Sequence, residues 1–181
     1  MRRKASIAFL DESGFMLQPV RRRTWAPRGR TPIHRAWNRH DRLSVIGAIT
    51  VSPRRRRFGE YFRILARNVD AEDLVWFVEQ MHRRLPREII LVWDRSGPHR
   101  RAAKLLLGKH ADWLTVEWLP PYAPELNPEE QCWKHTKYDD LANFIPDDLN
   151  ELYEAVGTSI GHQHSNARLL RSYFDHAKLR L

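Results

Sequence analysis

The stretch RLSVIGAITVSPRRRRFGEYFRIL, residues 42–65, constrains the fold more than any other part of the chain. Its first half, RLSVIGAITVS (42–52), is rich in β-branched residues and bounded by Asp41 and Pro53, which is a strand signature. Its second half, RFGEYFRIL (57–65), alternates well enough to be the hairpin partner across the arginine-rich turn. A hairpin of this length commits the chain to a sheet. ASIAFL (5–10) reads as a further buried strand, ending at Asp11. TWAPRGRTP (24–32), rich in Pro, Gly and Arg, reads as an irregular excursion or a short β-ribbon.

Helical periodicity begins beyond the hairpin. Asp70 is placed to cap a helix whose apolar positions are Leu74, Phe77, Val78, Met81 and Leu85, with Pro86 as its stop. IILVW (89–93) is a central-strand run ending at Asp94, and residues 99–107 are a helix candidate after the RSGP turn. LTVEWL (114–119) is another strand, followed by a helix from Pro128 to about Tyr138. Leu149, Leu152, Val156 and Ile160 mark a further helix, and Leu169, Leu170, Tyr173 and Phe174 a short last one. Three strands, then helix–strand–helix–strand–helix, describe an α/β fold: a mixed sheet of about five strands flanked by helices.

At 181 residues the chain is expected to form one domain with a real core. A single cysteine, Cys132, excludes a disulfide framework and a Cys-rich zinc site. No apolar run approaches the roughly 18–20 residues that span a bilayer, so no membrane partner is expected. The basic start followed by Ala5 to Leu10 is too short an apolar run for a signal peptide, which makes the expected location cytoplasmic. Charge is uneven: residues 1–57 hold 15 Lys and Arg against Asp11, Glu12 and Asp41, while the remainder has a net charge of −3. Clusters such as Arg21-Arg22-Arg23 and Arg54-Arg55-Arg56-Arg57 suit a polyanion, because each phosphate neutralised releases counterions. A solvated surface is the plainer alternative.

Asp11 and Asp94 each follow an apolar run, and the carboxyl ends of strands in open α/β sheets face the ligand crevice. LPPYAPELNPEEQCWKHTK (119–137) supplies a third acid. Its prolines stiffen the approach to a helix with Pro128 in the first turn, Asn127 as cap and Glu130 at the third helical position. That spacing also fits a capping box, in which Glu130 would only bond back to the Asn127 amide. Three carboxylates without Cys-rich or His-rich spacing favour Mg²⁺ or Mn²⁺ over zinc.

FLDESGF, LVWDRSGPHR and LPPYAPELNPEEQCW together resemble the three signature blocks of the DDE transposases. The likeness is to the bacterial insertion-sequence branch (insertion sequence 630 type) of the mariner superfamily, and it covers nearly the whole chain. Asp94 and Glu130 are separated by 35 residues, in keeping with the short second interval of that branch. The resemblance implies an RNase H-like fold in which Asp11, Asp94 and Glu130 are the catalytic residues and hold two Mg²⁺ or Mn²⁺ ions. Its NPxE pattern selects Glu130 over Glu129, and Asp11, not Glu12, matches the family's first position. Trp93 and Trp133 read as packing. The candidate DNA contacts are Arg21, Arg22, Arg23, Arg28, Arg30, Arg54, Arg55, Arg56, Arg57, His99 and Lys137, with His99 placed to touch a phosphate or an acid.

The implied activity is cleavage of double-stranded DNA at transposon ends and joining of the freed 3′-hydroxyl to target DNA at a TA dinucleotide. A homodimer is expected, since two ends must be brought together. Members of this family carry a helix-turn-helix region before the first Asp block, whereas here ten residues precede Asp11, so the chain reads as the catalytic domain alone. Two other readings are a non-catalytic nucleic-acid-binding remnant and a nuclease of the same fold without strand transfer. No nucleotide cofactor is implied, as the sequence has no P-loop or Gly-rich fingerprint.

Overall fold

The structure, a computed structural model, describes residues 5–30, 33, 41–85 and 87–179. The expected hairpin is present as β2 (Arg42–Val51) and β3 (Phe58–Leu65), paired antiparallel with Val51 opposite Phe58. Its arginine turn closes through the Ser52 N–H on the Arg57 carbonyl at 2.8 Å. β1 (Ser6–Met16) runs antiparallel to β2, while β4 (Ile89–Trp93) and β5 (Leu114–Trp118) extend the sheet in parallel on the other side of β1. The strand order is β3-β2-β1-β4-β5.

The first strand does not end at Asp11. It continues through Glu12, Ser13 and Gly14 to Met16, because β2 offers ladder partners along the whole stretch. Parallel pairing with β4 stops earlier, at Phe9 opposite Val92. Polar side chains are tolerated beyond that point because one flank of β1 there has no strand beside it.

The helices cover both faces. α1 (Ala71–Arg84) starts as expected at Asp70, whose carboxylate accepts the Asp73 N–H at 2.8 Å while Asp73 caps back on the Asp70 N–H. Its Leu74, Phe77, Val78 and Met81 are buried with Ala8, Leu10 and Leu91 of the sheet, beside α2 (Gly97–His110). α3 (Glu129–His135), α4 (Leu149–His164) and α5 (Ala167–His176) pack on the opposite face with Phe9, Val45 and Ile49. There Phe174 is fully buried edge-on to Phe9, a burial contributing about 1.5–3 kcal/mol. α3 ends in a π-helical turn, Thr136–Asp140, so the helix expected to run to Tyr138 keeps its extent but changes its winding.

The described part of TWAPRGRTP is irregular, turning at Gly29 (φ 79°), and Thr31, Pro32 and Pro86 lie outside the described residues. Among the described residues no helix is long and apolar enough to cross a membrane.

Candidate active site

Parallel pairing of β1 with β4 brings the two aspartates to one end of the sheet. Phe9 and Val92 are paired neighbours whose side chains both join the core under α3, α4 and α5. Asp11 lies two residues further along β1, so period-two alternation returns it to that face, and Asp94 follows directly on the end of β4, past the end of their shared ladder. α3 packs on the same face and carries Glu130 at its second position. Asp11, Asp94 and Glu130 line one cleft of about 370 Å³, with Arg95, Ser96, Asn127 and the loop from Leu119 to Pro124 as its remaining wall.

The capping box that could have claimed Glu130 is not formed. The Asn127 N–H is bonded to the Pro124 carbonyl at 2.9 Å, closing a short 3₁₀ turn (Pro124–Leu126) built by the proline-rich segment. The Asn127 side chain instead accepts the Glu129 N–H at 3.1 Å and donates to the Leu10 carbonyl at 3.2 Å. It thereby ties the start of α3 to the strand position before Asp11.

Each aspartate has its own holder. The Trp133 indole Nε1 donates to Asp11 Oδ2 at 3.2 Å, so the tryptophan read as packing also orients an acid. Its ring is buried over Gly47, the residue opposite Asp11 on β2, and stands edge-on to Phe15. Asp94 Oδ1 accepts the Ser96 N–H at 2.9 Å and lies 2.5 Å from His99 Nδ1. The other nitrogen of His99, Nε2, is 2.7 Å from Glu12 Oε2. His99 is 2% exposed and stacked on Trp93, so of its two expected partners it meets an acid. Alternation explains the split: Glu12 faces the α2 side of the sheet and Asp11 the α3 side.

Electrostatics mark Asp11 as short of positive charge. Burial first, then repulsion from Glu130 and Glu12, raises the Asp11 carboxyl to about 7. Burial acts on Asp94 in the same sense, but the Ser96 amide and His99 hold it below the usual range. Burial would lower His99, yet its hydrogen bond to Glu12 and the charges of Glu12 and Asp94 raise it. Among the described residues neither Asp11 nor Glu130 forms an ion pair. Crowded oxygen donors, two of them without an ion-pair partner, fit a hard divalent cation.

The candidate DNA contacts divide by position. Lys137 reaches β1, donating to Ser13 Oγ at 2.7 Å, and burial lowers its pKa against the opposing pull of Glu130 and Asp11. Arg22 lies over the Tyr138 ring and is bonded through its N–H to Asn143, while Arg21, Arg23, Arg28 and Arg30 are exposed. Arg54, Arg56 and Arg57 do not meet the acids. They line a separate cleft of about 680 Å³ at the amino-terminal end of β1, together with Arg84 and Arg87; Arg55 is turned to the Ser52 carbonyl. Sequence reasoning missed Arg84, Arg87, Arg95 and the role of Glu12. Only the position of Arg95, directly after Asp94, could have signalled it.

Residues 6–152 match the family described as DDE superfamily endonuclease. Among curated proteins no match was found. The fold is similar to that in the Mos1 transposase paired-end complex with left transposon end, with a TM-score of 0.65 at 18% identity. That match covers 95% of this chain and 51% of the other, so the chain spans about half the length of that relative. A pre-cleavage Mos1 transpososome gives 0.66 at 17% identity, covering 95% and 52% of the two chains. The catalytic domain of Mos1 mariner transposase gives 0.57 at 16%, covering 95% and 75%. The five-stranded mixed sheet flanked by helices is thus RNase H-like. With the family match running across that sheet and past all three acids of the cleft, this chain belongs to the DDE superfamily endonucleases.

Proposed function

We propose that this chain is the catalytic domain of a DNA transposase of the bacterial insertion-sequence branch of the mariner superfamily. The observation that carries the reading is the convergence of Asp11, Asp94 and Glu130 on one cleft from a strand, a strand end and a helix. These three side chains would hold Mg²⁺ or Mn²⁺. When bound, two such ions activate the attacking oxygen and stabilise the leaving one.

The chain's own residues then do the positioning. Trp133 fixes the rotamer of Asp11, and His99, braced on Glu12, fixes that of Asp94. Asn127 anchors the helix that presents Glu130. Arg95 on the cleft wall is placed to take a phosphate oxygen of the scissile strand. The family resemblance supports double-stranded transposon ends as the substrate, a TA dinucleotide as the target and a homodimer as the working unit, with end recognition by a helix-turn-helix region outside this domain.

The test is nicking of a supercoiled plasmid in Mg²⁺ or Mn²⁺, followed by strand transfer from a precut 3′-end. Nicking and transfer are expected from the wild-type chain, and neither from Asp94→Asn. DNA binding without nicking would leave a binding remnant, and nicking without transfer a nuclease.

A further inference from the structure

Behind the cleft lies a second group of ligand atoms that the proposed chemistry does not use. Glu60 of β3 and Glu129 and Cys132 of α3 each offer one ligand atom, and these atoms all lie within 4.8 Å of one another. All three residues are sealed from solvent: Glu60 is 2% exposed, Glu129 and Cys132 0%. The Cys132 thiol donates to Glu60 Oε1 at 2.7 Å, but Glu60 Oε2 and both oxygens of Glu129 have no hydrogen-bond partner. Leaving three carboxylate oxygens dry and unpaired is among the costliest arrangements available to a core. The sheet is even cut away to admit them, since a Cβ on Gly47 would stand 2.1 Å from Glu129 Oε1.

A cation in the middle satisfies these atoms at once. We infer that Glu60, Glu129 and Cys132 form a closed structural site for a borderline divalent cation of the zinc type, distinct from the cleft of Asp11, Asp94 and Glu130. The donor set decides the class. A thiolate is a poor partner for Mg²⁺, whereas zinc accepts sulfur and carboxylate oxygen together. Three side chains with one carboxylate bidentate complete four-coordination, and both Glu129 oxygens are free for that role. The site clamps α3 to β3 one residue away from Glu130, so its purpose is to fix the helix rather than to react.

The chain has a single cysteine, which makes the test specific. Because the site is closed, the full chain is refolded from urea with Co²⁺, and thiolate-to-cobalt charge-transfer absorption is read. One equivalent giving that band, displaced by Zn²⁺, is expected. Glu130→Gln, which alters only the neighbouring cleft, retains the band, and Cys132→Ser loses it. Glu129→Gln, which keeps the shape, weakens Co²⁺ binding at least about tenfold. Failure of the wild-type chain to develop the band after refolding, verified by circular dichroism, overturns the inference. So does Glu129→Gln binding Co²⁺ as tightly as wild type, whether or not Cys132→Ser folds.

Discussion

Trp133 Nε1 donates a hydrogen bond to Asp11 Oδ2 at 3.2 Å across the interface between α3 and β1. A tryptophan that packs and an aspartate proposed to react are therefore one mechanical unit. Trp133→Phe keeps most of the ring over Gly47 and removes only the donor. Nicking should slow by roughly tenfold, which corresponds to about 1.4 kcal/mol of lost positioning. DNA affinity at fixed salt should stay within a factor of two or so of wild type. An unchanged nicking rate would show that Asp11 needs no such holder.

Glu130→Gln separates a ligand from an architectural glutamate. The Asn127 N–H is already taken by Pro124, so Glu130 has no capping bond to lose. In metal-free buffer the melting temperature should move by no more than about 2 °C. Nicking should vanish, as should the stabilisation that Mn²⁺ gives by binding the folded chain at the cleft. A variant that still cuts removes Glu130 from the ligand set.

Gly47→Ala probes how closely α3 approaches the sheet. The new methyl would meet Glu129 Oε1 at 2.1 Å and the Trp133 ring at 2.5 Å. Overpacking of this kind costs about 1–3 kcal/mol and here also displaces the holder of Asp11. Chemical denaturation should show the loss, together with reduced nicking. Wild-type stability would mean that α3 can lift freely.

Stability of the metal-free chain should fall as pH rises. Burial raises the Asp11 carboxyl to about 7 and the Glu60 carboxyl to about 7, each from a lower unfolded value. A raised pKa means the folded chain holds its proton more tightly. Its contribution is therefore complete below the unfolded value near 4 and is lost as pH climbs to about 7. His99, also raised, acts in the same direction, while the lowered Asp94 and Asp73 act in more acidic solution, below this window. Melting in EDTA should thus occur at higher temperature at pH 5.5 than at pH 8, and Mn²⁺ should narrow the gap. A melting temperature that rises with pH in EDTA contradicts the assignment.

Arg84→Glu combined with Arg87→Glu tests the distant basic cleft. Together with Arg54, Arg56 and Arg57 these side chains face the same cavity, and none of the five has a carboxylate partner among the described residues. DNA affinity should drop for all sequences, and the salt dependence should flatten by about one unit of slope for each phosphate no longer neutralised. Mn²⁺-dependent stabilisation should be untouched. An unaltered slope leaves this cleft as solvated surface.

Much of this was readable in residue order. The apolar runs of the strands and the cap at Asp70 act locally, and local patterns survive into the fold, whereas α3 starts one residue later than expected, with Pro128 and not Asn127 at the cap position and Asn127 holding the Glu129 N–H from outside it. The end of β1 was not readable. Glu12, Ser13 and Gly14 carry no strand signature of their own, and only the presence of β2 opposite them makes them strand. The capping-box pattern at Glu130 failed for a related reason, because its donor is captured by a 3₁₀ turn that the prolines create. The partnership of Glu60 with Cys132 joins residues 72 apart and has no local trace. The meeting of Asp11, Asp94 and Glu130 in one cleft was legible through their family blocks, but the contacts of Trp133 and Glu12 around them required the sheet's two-faced alternation.

The place of β1 between β2 and β4 has a consequence for synthesis. Asp11 leaves the ribosome before its partner acids and can enter the three-stranded meander of β1, β2 and β3 as soon as that hairpin is complete. Its partner acids follow much later: Glu130 lies 119 residues downstream, a delay on the order of ten seconds at ordinary elongation rates. Throughout that interval the nascent chain can expose its basic first third to nucleic acid, yet it lacks the residues that would let it cut.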